Sequence, residues 1–437
     1  MRDNQRSQIV STKLQQIAEQ AVENPERVFT SLIHQIDVDF LKEAYRRTNK
    51  KAAPGLDGVT AKEYAGNLDE NLQTLHEQMR SGKYKAPHVK RVWLDEGKEK
   101  KRPIGISEFE DKIVQRAIVM LLEAVYEQDF HDFSYGFRVG RSPHQALHEL
   151  REQCMNQDIG WIIDADISGF FNNLGHGEMR EIIKLRVNDG GIIRYIGKWL
   201  NAGVVDGKTL SYPKKGTPQG GVVSPVLSNI FLHHVLDDWY DKEVKPRLKG
   251  GSFLIRFADD FAIGCKLEKD ARRVMAVLSK RFGRFGLTIH PEKTRLVSFK
   301  KPPRDQKRDK RKEATFDFLG FTHYWAKSRS GNWVIKRSTA RKRLNRALAR
   351  VRAWCRKHRH KPLKQQYQML CLKLQGHYQY YGIRGNMRML KKLYWYVVNA
   401  WWYWLCRRSH KGKIAWEKFE LFQLIYPLPP PRITHTI

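Results

Sequence analysis

Residues 253–264 read Phe-Leu-Ile-Arg-Phe-Ala-Asp-Asp-Phe-Ala-Ile-Gly, two apolar runs with two adjacent carboxylates between them. Short apolar runs separated by a polar tip are typical of a β-hairpin. We therefore expect Asp259 and Asp260 at the tip of a buried hairpin. Because Asp favours turns wherever they occur, this stretch alone leaves a purely structural role open.

A second acidic stretch strengthens the case for chemistry. Residues 161–167 read Trp-Ile-Ile-Asp-Ala-Asp-Ile, and strand alternation places Asp164 and Asp166 on one face. A carboxylate on so apolar a strand is costly to bury unless it is paired or binds a metal ion. Asp166 with Asp259 and Asp260 would suit two Mg²⁺ ions, an arrangement that serves in-line displacement at phosphorus.

The charge of the chain points to a polyanionic partner. Its 437 residues include 80 Lys and Arg against 46 Asp and Glu, a formal net charge of +34. That excess favours nucleic acid first and an anionic membrane surface second. Residues 318–416 contain no Asp or Glu but 24 Lys and Arg and eight of the twelve Trp. Positive charge interleaved with aromatic rings suits phosphates and stacked bases.

Apolar periodicity predicts a mixed α and β region followed by a helical one. Between residues 87 and 321 short strands alternate with helices. Beyond residue 338 three apolar stripes at helical spacing are interrupted at Pro362 and at Gly382 and Gly385. These stripes predict a three-helix bundle with the stripes as its core.

The motifs, taken together, resemble those of the bacterial group II intron reverse transcriptase–maturase family, in the family order and over nearly the whole chain. The two acidic stretches match its catalytic motifs, with Phe257 where the family usually has Tyr. The other matching stretches are APGLDG (53–58), RPIGI (102–106), SYGFR (134–138), GRS (140–142), GTPQGGVVSP (216–225), GLTIHPEKT (286–294) and FLGF (318–321).

This resemblance implies an α+β fold of the right-hand polymerase type, in which fingers and a palm with an antiparallel sheet precede an all-α three-helix thumb. The expected division is an N-terminal helical extension and loop at 1–86, fingers and palm at 87–321, a basic connector at 322–337, the thumb or maturase domain at 338–410 and a short basic, Pro-rich tail at 411–437. A C-terminal HNH endonuclease is not expected, because paired cysteines are lacking.

The resemblance also implies roles for individual residues. The expected catalytic and metal-binding groups are the side chains of Asp166, Asp259 and Asp260 and the carbonyl of Ile167. The expected nucleotide contacts are Arg102 at the triphosphate, Phe171 under the sugar, Gln219 and Gly220 in the pocket and Lys293 at the leaving pyrophosphate. The expected nucleic-acid contacts are Arg138, Arg141, Arg341, Arg343, Arg350 and Arg356.

Plainer alternatives stay open for several of these positions. Phe171 also suits a hydrophobic core, and Lys293 and the arginines also suit a solvated surface. Asp164 competes with Asp166 as a metal ligand. The basic residue that many relatives carry before RPIGI is replaced here by Leu-Asp-Glu at 94–96, with Lys98, Lys100 or Lys101 as substitutes.

The resulting hypothesis is an RNA-directed DNA polymerase that also binds structured group II intron RNA and assists its splicing and mobility. It would use two Mg²⁺ ions, with Mn²⁺ able to substitute, an RNA template, a DNA primer and deoxynucleoside triphosphates. One alternative is a reverse transcriptase of a non-intron system, retron-like, CRISPR-associated or acting in DNA repair. Another is an RNA-binding splicing factor with an idle polymerase site.

The same sequence features bear on cellular location. The N-terminus is polar, and the longest apolar run, at 393–406, is too short to span a bilayer. Five cysteines without a CxxC pair indicate neither a zinc site nor a disulfide framework. We therefore expect a cytoplasmic protein of the nucleoid or of a ribonucleoprotein, without a membrane partner.

Overall fold

The structure, a computed structural model, describes residues 2–95, 101–217, 220–303, 314–409 and 412–436. Helices α1 (Arg2–Glu23), α2 (Val38–Arg47), α3 (Ala61–Tyr64) and α4 (Leu68–Arg80) precede the first strand. Side-chain caps set the starts of two of them. The Asp37 carboxylate accepts a hydrogen bond from the Phe40 amide at 2.8 Å, and Thr60 with Glu63 forms a capping box at α3.

The remaining elements follow in chain order. They are β1 (Val89–Asp95), β2 (Lys101–Ile106), α5 (Phe109–Tyr126), α6 (Pro143–Asn156), β3 (Trp161–Ala165), α7 (Phe170–Asn173), α8 (His176–Lys184), α9 (Gly190–Leu200), β4 (Val204–Asp206), β5 (Thr209–Ser211), α10 (Ser224–Leu232), β6 (Ser252–Phe257), β7 (Asp260–Cys265), α11 (Glu268–Arg284), β8 (Arg295–Ser298), β9 (Phe316–Phe318), β10 (Phe321–Lys327), β11 (Trp333–Thr339), α12 (Arg341–His358), α13 (Leu363–Tyr381), α14 (Met387–Leu405) and α15 (Trp416–Ile425).

The central sheet is antiparallel throughout, with strand order β6-β7-β3-β8. The hairpin predicted for residues 253–264 is β6 and β7, and it pairs through β7 with β3. Strand β3 ends at Ala165, two residues before the end expected from the sequence. Helices α5, α10 and α11 contribute to the core on this sheet, which also includes Ile163, Phe261 and Ile263.

Helix α10 ends at Leu232. The chain continues as two π-helical turns, His233–Asp237 and Tyr240–Val244. These turns keep the segment buried, with Val235, Leu236 and Tyr240 in the same core. A π-helical turn widens the helix and changes which side chains share a face.

A second four-stranded sheet has the order β2-β1-β4-β5 and carries the RPIGI motif in β2. A third sheet, β11-β10-β9, is the main difference from expectation. The segment 322–337, for which the sequence analysis gives only a basic connector, forms most of two antiparallel strands, β10 and β11. Its Trp325, Trp333 and Ile335 are buried in one core with Phe253 and Ile255 of β6.

The three helices α12, α13 and α14 pack around a core of their own, as the apolar stripes predict. The stripe residues fully buried there are Leu344, Val351, Cys355, Leu370, Leu374, Tyr378, Leu390, Val397, Trp401 and Leu405. Helix α15 adds Phe419 to the same core. In the parts of the chain that the structure describes, we find no helix with the length and apolarity needed to cross a membrane.

Candidate active site

The two acidic stretches meet at one end of the central sheet. Asp259 lies in the turn between β6 and β7, Asp260 begins β7, and Asp166 directly follows β3. Because Ala165 of β3 lies opposite Phe261 of β7, the next residue along β3 comes beside the hairpin tip. The sequence expectation that these three carboxylates converge is thus matched by the strand register.

The charges of the three carboxylates act on one another. Burial, followed by the charge of Asp166, raises the pKa of Asp259. The Asp260 side chain reaches water, yet desolvation by the surrounding protein, with the charges of Asp259 and Asp166, raises its pKa to about 6. These raised pKa values mark an excess of negative charge in a confined space. A divalent cation offsets that excess, and carboxylate oxygens are ligands that hard cations prefer.

Two cations border the cluster and separate the roles of Asp164 and Asp166. The Lys293 ammonium lies 2.6 Å from Oδ2 of Asp166. Arg295 of β8 donates from Nε to Oδ2 of Asp164 at 3.1 Å, across the pairing of β8 with β3. Asp164 is therefore paired with an arginine on the neighbouring strand. Asp166, which directly follows β3, is the carboxylate nearer the hairpin tip.

The backbone around Ile167 is held by hydrogen bonds to the GLTIHPEKT stretch at residues 286–294. The Asp166 carbonyl accepts a hydrogen bond from the His290 amide, and the Ser168 amide donates to the Thr288 carbonyl, both at 2.8 Å. Ile167 bridges Ile289 between these two bonds. This pairing does not use the Ile167 carbonyl, because the bonds are made by the residues on either side.

A pocket bordered by β2 contains the predicted sugar-contacting residue. Phe171 is half-buried and lines a cavity of about 300 Å³ with Gly105, Gly216 and Thr217 among its walls. The Phe171 carbonyl accepts a hydrogen bond from the Thr217 amide at 2.8 Å. A Cβ on Gly216 would lie 2.6 Å from that same carbonyl oxygen, so glycine is required for this close approach.

Gly220 packs closely against β2. Its φ is +109°, and a Cβ there would lie 2.7 Å from the Gly105 carbonyl oxygen. Arg102, also on β2, is exposed, and its charge lowers the pKa of Asp259 against the effect of burial. The Arg102 guanidinium therefore lies within electrostatic reach of the carboxylate cluster. Gln219 lies outside the described residues, as do Lys98 and Lys100.

The predicted nucleic-acid contacts fall into two groups. Arg341, Arg343, Arg350 and Arg356 are exposed along α12. Arg343 also approaches the active site, because its charge lowers the pKa of Asp260. Arg141 is half-buried, stacks over Tyr135 and pairs with Asp132.

Arg138 is placed differently from the expectation. It is 8% exposed and binds Glu127 through Nε at 2.9 Å and the His131 and Ser134 carbonyls through Nη1 at 2.7 and 2.8 Å. These bonds hold the Arg138 guanidinium against the SYGFR loop and the residues just before it. We therefore leave Arg138 out of any nucleic-acid interface.

Sequence reasoning missed two groups in this part of the molecule. One is the fully buried pair of Arg256 and Asp237 behind the hairpin tip. The sequence signal for this pair was Arg256, a charged residue inside the otherwise apolar strand β6. A buried charge requires a partner. The other brings together His131, His233 and Asp238, the one trio of possible metal-binding side chains among the described residues whose donor atoms all lie within 4.8 Å of one another.

The Asp238 carboxylate of this group is already paired without a metal ion. His131 lies 2.8 Å from Oδ1 of Asp238, and Lys242 lies 2.9 Å from the other oxygen. His131 is more than one hundred residues from its partners in the chain, so no short sequence motif predicts this group.

Comparison with known proteins agrees with this geometry. The family model described as reverse transcriptase (RNA-dependent DNA polymerase) matches residues 89–323, more than half of the chain. Protein YkfC of Escherichia coli (strain K12) is 35% identical over 232 residues, which are 52% of this chain and 61% of that protein.

Further relatives carry intron-related names. The group II intron-encoded protein LtrA of Lactococcus lactis subsp. cremoris is 32% identical over 224 residues, 51% of this chain and 37% of LtrA. The mitochondrial nuclear intron maturase 2 of Arabidopsis thaliana is 31% identical over 177 residues, 31% of this chain and 24% of the maturase. The chain thus spans less than two thirds of the length of each of these relatives.

These matches confirm the resemblance to group II intron proteins, and the family region includes all three aspartates of the cluster. A reverse transcriptase domain implies the right-hand polymerase fold, which agrees with the antiparallel sheet that bears them. The chain belongs to the reverse transcriptase family.

Proposed function

We propose that this protein is an RNA-directed DNA polymerase that also binds group II intron RNA and assists its splicing and mobility. The observation that carries the polymerase part is the meeting of Asp166, Asp259 and Asp260 at one end of the central sheet, with raised pKa values for the last two. Negative charge concentrated on these carboxylates suits a site for a metal-bound nucleotide.

The metal in this proposal is Mg²⁺, held as two ions by the three aspartates with help from the Ile167 carbonyl. When bound, the ions lower the pKa of the attacking 3′-hydroxyl and neutralise the leaving pyrophosphate. Arg102 binds the triphosphate, for which its guanidinium offers paired donors. Lys293 supplies a proton to the pyrophosphate, and its position against Asp166 supports this role.

Phe171 selects deoxynucleotides in this proposal. A 2′-hydroxyl would meet its ring in a pocket whose wall is tied to Phe171 by the Thr217 amide. Because that hydrogen bond and the tight fit of Gly216 restrict the backbone of Phe171, the ring cannot easily retreat.

The helices α12 to α14 form the thumb and maturase domain in this proposal. The exposed arginines of α12 and the absence of any Asp or Glu between residues 318 and 416 support binding of a phosphate backbone. The name of LtrA and that of the plant maturase support an intron RNA as one of the ligands. Such a protein would work in a cytoplasmic ribonucleoprotein.

The test is primer extension on an RNA template with a DNA primer, Mg²⁺ and deoxynucleoside triphosphates. We expect the full chain to extend the primer and the double variant Asp259→Asn with Asp260→Asn to lose extension by several orders of magnitude. The matched control is Asp158→Asn, because Asp158 is exposed and has a positive φ that Asn tolerates equally well.

Three results would contradict the proposal in whole or in part. Undiminished synthesis by the double variant would remove the aspartates from the site. A wild-type chain that binds and folds intron RNA without extending a primer would favour the splicing factor with an idle site. Extension without any effect on intron RNA would instead favour a reverse transcriptase of a non-intron system.

A further inference from the structure

A fully buried ion pair lies directly behind the hairpin tip. The side chains of Arg256 and Asp237 are both 0% exposed. Arg256 donates from Nε to Oδ1 of Asp237 at 2.8 Å and from Nη2 to Oδ2 at 2.5 Å. Burying two charges is unfavourable unless further hydrogen bonds satisfy them, and apolar residues of similar size often serve stability equally well. The pair therefore calls for a reason beyond stability.

The remaining Arg256 donor supplies that reason. Nη1 donates to the Ala258 carbonyl at 3.1 Å and to Oδ1 of Asn229 at 3.0 Å. Ala258 is the residue before Asp259, and its φ of +58° is unusual for a residue with a Cβ. A turn held in this conformation needs support from its surroundings. The Arg256 guanidinium supports the turn through its hydrogen bond to the Ala258 carbonyl.

The SYGFR loop holds the same turn from the other side. Asn229 donates from Nδ2 to the Gly136 carbonyl at 2.7 Å. A Cβ on Gly136 would lie only 2.1 Å from the Ala258 nitrogen, so this loop touches the turn backbone to backbone. The Tyr135 amide donates to the Arg256 carbonyl at 2.9 Å, which aligns the loop with the end of β6.

We infer that Arg256, with Asp237 and Asn229, is a positioning residue that clamps the 258–260 turn between its guanidinium and the Gly136 peptide, and so sets the places of Asp259 and Asp260 relative to Asp166. None of the three touches the nucleotide in this inference. They act through the turn. The inference rests on the proposed polymerase function only for its effect on turnover, because the arrangement of metal-binding carboxylates can be measured without catalysis.

The sharpest variant is Gly136→Ala, because it adds one methyl group against the Ala258 nitrogen and changes no charge. The control is Gly283→Ala on α11, where a Cβ meets no atom within 4 Å. A misplacement of about 1 Å can lower a rate by roughly 100-fold. We expect Gly136→Ala to lower kcat by roughly 10–100-fold, with KM for the nucleotide and Kd for the primer–template within about threefold of wild type.

A second pair of variants separates positioning from stability. Arg256→Lys keeps the charge but loses the fork that reaches Asp237 and Ala258 together. Arg186→Lys is matched to it, because Arg186 is also buried, binds Asp129 through two nitrogens and donates to the Ala21 carbonyl, yet contacts the N-terminal region instead of the hairpin tip. We expect both to lower Tm, but only Arg256→Lys to lower kcat in the folded fraction.

The readout independent of turnover is Mn²⁺ affinity of the full chain, followed by electron paramagnetic resonance. Weaker Mn²⁺ binding in Gly136→Ala and Arg256→Lys, but not in the two controls, supports the inference. Unchanged Mn²⁺ affinity and kcat in folded Gly136→Ala overturns it. A wild type that binds Mn²⁺ without extending a primer contradicts the proposed function, while the Mn²⁺ affinities of the variants still decide the inference.

Discussion

Lys293 donates from Nζ to Oδ2 of Asp166 at 2.6 Å, although the two residues are separated by 127 positions in the chain. The Lys293 side chain is 59% exposed, so burial does not force the contact. A lysine that served only as a solvated surface residue would not need to contact Asp166. The contact brings a proton donor to the edge of the carboxylate cluster.

Replacing Lys293 by Gln should therefore lower kcat by roughly 10²-fold, because a positioned general acid typically contributes 10²–10⁴-fold. KM for the nucleotide should change little. Single-turnover extension measures the effect, and Lys266→Gln, at an exposed lysine beside Asp158, is the control. An unchanged rate in Lys293→Gln would return the residue to the solvated surface.

Replacing Phe171 by Ala should relax the choice of sugar. We expect the ratio of kcat/KM for deoxynucleotides over ribonucleotides to fall by about 10–100-fold, because steric discrimination in a pocket is of this size. Incorporation of each nucleotide by the same enzyme preparation measures the ratio. Phe171→Tyr keeps the ring and should keep the ratio, whereas a core role would lower Tm in Phe171→Ala and leave the ratio intact.

The exposed arginines of α12 should determine how strongly salt weakens nucleic-acid binding. Each lost phosphate contact reduces the slope of log K against log salt by roughly 0.7–0.9. We expect the double variant Arg350→Gln with Arg356→Gln to reduce the slope by this amount once for each residue. The control removes two exposed charges from α11, with Arg273→Gln and Lys280→Gln. Equal effects of the two double variants would indicate a general charge effect.

His323 should make the protein sensitive to acid. It is 0% exposed, neither ring nitrogen has a hydrogen-bond partner, and burial, with the charge of Arg337, lowers its pKa to about 3. Because the unfolded chain binds this proton near pH 6.5, stability is full above that value and is lost as the pH falls towards 3. The loss at pH 5 is about 2 kcal/mol.

The variant His323→Phe should remove this loss, because Phe does not titrate and suits the stacking on Phe316 at 4.8 Å. Urea unfolding at pH 8 and pH 5 compares the two proteins. His360→Gln, at an exposed histidine, should retain the acid sensitivity of the wild type. An equal loss in His323→Phe would assign the sensitivity to other groups.

Local pattern predicted the parts of the site that are local. Alternation and apolar runs gave the hairpin, the facing strand and the three helices of the bundle. The β10–β11 hairpin was missed although its two strands are neighbours in the chain, because the basic residues of this segment suggested a connector. The left-handed Ala258 was also missed, since only the surrounding clamp explains a positive φ at an alanine.

Hydrogen bonds join the β9–β11 sheet to the helical bundle. Asn386, just before α14, exchanges two hydrogen bonds with Thr339 at the end of β11, and the Tyr380 hydroxyl donates to the Leu319 carbonyl in the β9–β10 turn. A displacement of the bundle relative to the sheet would break these hydrogen bonds. Because Trp325, Trp333 and Ile335 of that sheet share a core with Phe253 and Ile255 of β6, we expect the bundle, the sheet and the β6–β7 hairpin to move as one unit.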